Sequence, residues 1–211
     1  MDSRQEINKK ERVQVYVDGF NLYFGMLEAS YKQCKWLDLR LLSENLLKSS
    51  QELVGVKYFT SRLNYNPEKQ KRQTVYIEAL QTTNVEIYFG QYQSDTIKCK
   101  SCGFHWPKFN EKMTDVNIAT EMLNDAFHDK YDTAMLISGD SDLVPPIRSI
   151  HENWNSKRVF VVFPPKRKNQ TVADASKGYL TIGRKKLVDS QFPFHVIKPD
   201  GYLLTKPLNW E

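Results

Sequence analysis

Cysteine is scarce in this chain, with three in 211 residues, at Cys34, Cys99 and Cys102. They are too few and too unevenly placed for a disulfide framework. No apolar run approaches the ~18 residues of a membrane span, and the polar Met1–Lys10 segment lacks the hydrophobic region of a secretory signal. These absences predict a cytoplasmic protein with no membrane partner. There is no Gly-Lys-Ser/Thr phosphate loop and no Gly-x-Gly-x-x-Gly fingerprint, which argues against NTPase and dinucleotide readings. Internal repeats and low-complexity segments are also lacking.

What is present suits one α/β domain. Apolar residues make up 40% of the chain, enough for a core, and 26% are charged. The net charge of +5 is mild, so its distribution matters more than its sum. Between Lys157 and Lys186 nine basic residues face one acid, Asp174. That local excess fits a polyanionic partner, or a merely solvated basic surface. Strand-like runs at 12–17, 53–60, 85–89, 133–138 and 158–163 alternate with helical spacing at 19–27, 38–48, 67–81, 114–128 and 142–153. A short helix and strand are expected within 170–183. This alternation predicts a mostly parallel, three-layer α/β sheet. Residues 91–112 break the pattern and read as a small insertion or hairpin. The domain is expected over 1–190, with 191–211 as a C-terminal extension.

The acids carry the chemistry. The strand at 133–138 stops at Ser138-Gly139, and Asp140 and Asp142 follow. The strand at 12–17 ends in Asp18-Gly19-Phe20-Asn21. In a parallel sheet both acidic ends reach the carboxyl edge, where open α/β folds bind ligands. Asp115 sits in the first turn of the helix from 114, on the edge of its apolar stripe, with Thr114 as the expected N-cap. Each acid alone has a structural alternative: turn chemistry for Asp18, helix capping for Asp115, and a loop feeding a helix for Asp140 and Asp142. Four together at one edge repel one another unless a proton or cation intervenes. Mg²⁺ and Mn²⁺ bind oxygen ligands of this kind. No histidine or cysteine joins these motifs, which argues against a catalytic zinc there.

Three ordered motifs, Val17-Asp18-Gly19-Phe20-Asn21-Leu22, Lys112-Met113-Thr114-Asp115-Val116-Asn117-Ile118-Ala119 and Ser138-Gly139-Asp140-Ser141-Asp142-Leu143, resemble those of NYN-domain proteins. These are the LabA-like branch of the PIN-like nucleases. The resemblance runs from about residue 12 to 190 and includes Val144-Pro145-Pro146. It implies a Rossmann-like PIN fold and Mg²⁺- or Mn²⁺-dependent ribonuclease activity. By motif matching Asp18, Asp115 and Asp140 would form the metal-binding core, with Asp142 a further ligand or one bound through water. Asn21 would orient Asp18 or a water, and Ser138 would bond a carboxylate or phosphate, or simply end a strand. Many relatives carry Lys-Gly where this chain has Lys112-Met113. Lys112 would steady charge on the phosphate or stand as an exposed loop lysine. Glu121 falls off the face of Asp115 and is expected outside the site.

Histidines 105, 128, 151 and 195 lie outside the acidic motifs, so a histidine pair using the ribose 2′-hydroxyl is not evident. Arg148, Lys166, Arg167 and Lys168 are candidates to hold a phosphate chain. Tyr23, Phe24 and Trp106 are candidates to stack unpaired bases, although aromatics more often fill cores; single-stranded or loop RNA is expected rather than duplex, because a cleft must reach one strand's phosphate. Cys99, Cys102 and His105 supply up to three of the four ligands of a structural Zn²⁺. Cys34 or the second chain of a homodimer would complete it; a reduced thiol pair and a redox pair stay open. Two further readings remain: a non-catalytic RNA- or protein-binding module, and a DNA-directed nuclease.

Overall fold

The computed structural model describes residues 9–63, 66–98 and 100–210. Its organising strand is β1 (Glu11–Asp18), whose last six residues are all buried. Burial on both faces is what a central parallel strand requires, and it explains the nearly unbroken apolar run. β1 pairs in parallel with β2 (Gln51–Ser61) on one side and β5 (Thr133–Ile137) on the other. Beyond β2 lies β3 (Val85–Lys98), and beyond β5 lie β6 (Arg158–Phe163) and β7 (Tyr179–Thr181). β4 (His105–Lys112) adds an antiparallel edge to β3. The order β4-β3-β2-β1-β5-β6-β7 thus holds a six-stranded parallel core, as the alternating pattern predicts.

Alternate residues of the strands divide between two cores. Val13, Val15 and Val17 face one core, where α1 (Gly19–Glu28), α2 (Leu39–Leu46), α3 (Pro67–Thr82) and α7 (Arg184–Val188) pack. Tyr16, Leu136 and Phe163 face the other, with α4 (Thr114–Phe127), α5 (Val144–Asn153) and α6 (Gln170–Ala175). Asn66 caps α3 by accepting from Lys69 N, and Pro67 occupies its first turn, where a missing N–H costs nothing.

Several boundaries differ from the sequence reading. The strand expected at 85–89 continues to Lys98, because residues 91–98 pair with 105–112 as a hairpin. The helix expected from 142 begins as a 3-10 turn, Ser141–Leu143, before α5. Residues 195–197 and 203–205 form a two-stranded hairpin, β8–β9, and Phe192, Val196, Leu204 and Trp210 are buried in the first core. Among the described residues no helix is long and apolar enough to cross a membrane.

Candidate active site at the sheet switch point

From β1 the chain winds through α1 and β2 toward β3, whereas from β5 it winds through α5 toward β6 and β7. The direction reverses between β1 and β5, and a crevice opens at the carboxyl ends of strands where such a reversal occurs. Val17 is registered against Ile137, so Asp18 and Ser138 leave the sheet side by side.

A closed set of hydrogen bonds fixes these ends. Ser138 Oγ donates to Asp18 Oδ2 at 2.8 Å and accepts from Asp140 N at 3.1 Å. Asn21 N donates to Asp18 Oδ1 at 2.9 Å, while Asn21 Oδ1 accepts from Gly139 N at 3.0 Å. Asp140 Oδ1 accepts from Asp142 N at 2.9 Å. Asn21 therefore orients Asp18 through its backbone, and its side chain holds the Gly139 turn. Ser138 is fully buried and links two carboxylate-bearing residues, which decides between the alternatives left open for it. Gly139 has no room for a side chain, since a Cβ there would lie 1.9 Å from the carbonyl oxygen of Arg167.

Asp115 enters from the opposite core, on the first turn of α4. Burial first, and then the charges of Asp18, Asp140 and Asp142, push its carboxyl up to about 6. Asp18 is 4% exposed and is also raised, by burial, with Asp140 adding repulsion against the hydrogen bonds that lower it. The four acids thus share one electrostatic neighbourhood. Such all-oxygen, mutually repelling donors suit a hard divalent cation, which would relieve the repulsion. Among the described residues no three His, Cys, Asp or Glu side chains are drawn together as a ready-made cage.

Other candidates are placed as follows. Thr114 is not the N-cap: Met113 occupies that position in a left-handed conformation, with φ 77°, and Thr114 is the first helical residue. Lys112 is exposed at the end of β4, beside this turn. Glu121 lies outside the acidic group, bonded by Lys57 Nζ at 2.7 Å; the same Nζ is 2.5 Å from the fully buried Asp125. Tyr16 OH also donates to Asp125, at 2.8 Å. This buried network under the site was missed, because a lysine in mid-strand looks like an exposed one until its partners on α4 are known.

Arg148, Lys166 and Lys168 are exposed. Lys168 Nζ lies 4.7 Å from the centre of the Tyr179 ring. Arg167 is instead tied to Glu28 at the end of α1, so it fastens the 164–168 loop to that helix. Cys102 is exposed in the β3–β4 turn and His105 is exposed at the start of β4, while Cys34 is buried in the first core, in a different environment. Cys99 lies outside the described residues. The side chain of Trp106 lies outside them too. Tyr23 and Phe24 are partly exposed on α1, their rings 5.4 Å apart. They line a cavity of about 420 Å³ that sequence reasoning did not find.

Acids gathered at the switch point of a mostly parallel, helix-covered sheet are consistent with a PIN-like fold. Residues 12–183 match the NYN domain family model, and the chain belongs to that family, within the PIN-like nuclease superfamily. It is 25% identical to 6-hydroxy-3-succinoylpyridine 3-monooxygenase HspA of Pseudomonas putida, over 76% of this chain and 62% of that protein. The chain thus spans less than two thirds of the length of this curated relative. A solved structure of a protein of unknown function from Vibrio parahaemolyticus shares the fold, with a TM-score of 0.57 at 21% identity, covering 91% of this chain and 100% of that one.

Proposed function

We propose that the protein is a metal-dependent endoribonuclease that hydrolyses phosphodiester bonds in single-stranded or loop RNA. The observation that carries this reading is the coupling of Asp18, Asp115, Asp140 and Asp142 at the switch point, where Asp115 is pushed up to about 6. Asp18 and Asp140, with Asp115 directly or through water, would hold Mg²⁺ or Mn²⁺, and Asp142 would act further out. A bound divalent cation supplies Lewis acidity and a readily ionised water. Ser138 and Asn21 keep Asp18 and the Asp140 turn rigid, so the carboxylates need not reorganise during reaction. Lys112 would face the non-bridging oxygens of the scissile phosphate. Arg148, Lys166 and Lys168 would hold the flanking chain, which makes binding weaken with salt.

Labelled single-stranded RNA and DNA, incubated with Mn²⁺, Mg²⁺ or chelator, test the reading. Metal-dependent RNA cleavage lost in Asp18→Asn and Asp140→Asn is expected, whereas cleavage surviving both substitutions would sink the centre. Equal cleavage of DNA would make it a general nuclease. Tight, metal-independent RNA binding without turnover would make it a binding module. A second reading, turnover of a small aromatic molecule, is favoured by the monooxygenase relative and by the aromatic cavity beside α1; RNA would then stay intact. A structural Zn²⁺ on the β3–β4 turn is a separate proposal, and zinc content unchanged in Cys102→Ser would remove that ligand.

A further inference from the structure

The ends of β1, β5 and β6 converge on one face of α1. Asn21, Gly25 and Glu28 stand at i, i+4 and i+7, which sets them in line along that helix. Asn21 N donates to Asp18, and Asn21 Oδ1 accepts from Gly139 N. Gly25 receives the turn that follows β6. A Cβ there would lie 2.7 Å from Pro165 O, 2.9 Å from Pro164 Cβ and 3.1 Å from Arg167 Cγ. Glu28, one turn further on, is exposed and holds the Arg167 guanidinium.

β6 is the neighbour of β5 in the sheet, so its outgoing turn lies beside the Gly139–Asp140 turn. The two meet through backbone: Arg167 O occupies the space that a Gly139 side chain would need. Pro164 and Pro165 are buried, and Arg167 N donates to Pro164 O at 3.1 Å, which closes a four-residue turn. Lys166, third in that turn, has a left-handed φ of 61°. A residue with a side chain is strained there, so the turn keeps its shape only where its surroundings impose it. The prolines impose it at one end. At the other, Arg167 is fastened to a carboxylate of α1 that lies outside the acidic centre.

We propose that Glu28 and Arg167 are positioning residues, whose ion pair latches the strained turn against Gly139 and so fixes Asp140 as a ligand for the divalent cation. The role of Asp140 as a ligand rests on the hydrolytic reading above; the latch itself rests on geometry alone. Cutting the latch lets the Pro164–Arg167 turn relax away from α1. The Gly139–Asp140 turn then loses the support of Arg167 O and keeps only that of Asn21 and Ser138. Both partners of the ion pair are partly exposed, so its loss costs the fold little. Misplacing a ligand carboxylate, in contrast, costs metal affinity and rate.

Glu28→Gln cuts the latch without touching the acids, and Arg167→Met cuts it while keeping an apolar stem against Gly25. Amide hydrogen exchange, followed by NMR on the full chain in chelator, reads the turn directly. In both variants the Gly139 and Asp140 amides are expected to exchange about tenfold faster, with the Leu136 amide and the urea midpoint unchanged. Mn²⁺ affinity, measured by calorimetry, is expected to fall about fivefold in each, and no further in the double variant. On labelled RNA the loss is expected in kcat rather than KM. A merely structural pair would move the urea midpoint and leave Mn²⁺ affinity as it was. Unchanged exchange at Gly139 and Asp140, equal Mn²⁺ affinity in the variants, or losses that add in the double variant would overturn the latch. A wild type that binds no Mn²⁺ and cleaves no RNA removes the hydrolytic reading, and the exchange rates then decide the latch alone.

Discussion

Replacing Asp115 by asparagine is expected to stabilise the metal-free protein while abolishing its activity. The carboxyl is raised from 3.8 to about 6, by burial and then by Asp18, Asp140 and Asp142. A displacement of that size corresponds to roughly 3 kcal/mol against ionisation if taken at face value. Asp115 is only partly buried, and solvent screening together with the favourable helix dipole trims this to about 1–2 kcal/mol. The sign follows from proton counts. Between about pH 4 and 6 the folded state keeps this proton and the unfolded state has lost it, so the contribution to stability falls as pH rises and stays low above 6. Asparagine escapes that loss. Urea denaturation in chelator should therefore show Asp115→Asn more stable than wild type at pH 7.5 by about 1–2 kcal/mol, with a smaller advantage at pH 5. Added Mg²⁺ should raise the wild-type Tm and leave the variant nearly unmoved. A variant less stable than wild type at pH 7.5, or an increment identical at both pH values, would refute the repulsion argument.

Met113→Gly should stabilise the fold by about 1 kcal/mol, because a left-handed φ of 77° strains a side-chain-bearing residue, and Met113→Ala should not; chemical denaturation distinguishes them. Lys57→Met should cost about 3 kcal/mol at neutral pH by removing the buried one of the two cations on Asp125, leaving only the exposed Lys130. Asp125 is held below the usual carboxylate range by Lys57, Tyr16 and Lys130 against its burial, so that contribution is present above about pH 4 and fades on acidification; urea denaturation of wild type and Lys57→Met across this pH range would reveal it. Gly139→Ala should retain the fold by circular dichroism yet lose roughly 100-fold in activity, since its Cβ must displace the Arg167 carbonyl or the Asp140 turn.

The parts of this structure legible in sequence were those with local periodicity. β1 and β5 announce themselves as apolar runs because both of their faces are covered, and the acids announce themselves because they end those runs. Ser138 could be weighed but not decided, since its two hydrogen bonds depend on the register of β1 against β5. Thr114 looked like a cap because threonine usually is one; the chain instead turns at Met113, a conformation that composition does not encode. The Lys57–Asp125 network and the cavity with Arg72 and Trp210 join residues distant in the chain. Trp210 in particular belonged, by sequence, to a tail beyond the domain, yet its ring packs against Trp36 at 6.2 Å in the first core.

The most direct measurement is the chemistry of the ends left on a short labelled RNA after incubation with Mn²⁺, by wild type and by Asp140→Asn. Hydrolysis directed by the acidic centre predicts 5′-phosphate and 3′-hydroxyl ends from the wild type and intact RNA from the variant. A 2′,3′-cyclic phosphate, or the same products from Asp140→Asn, would contradict it.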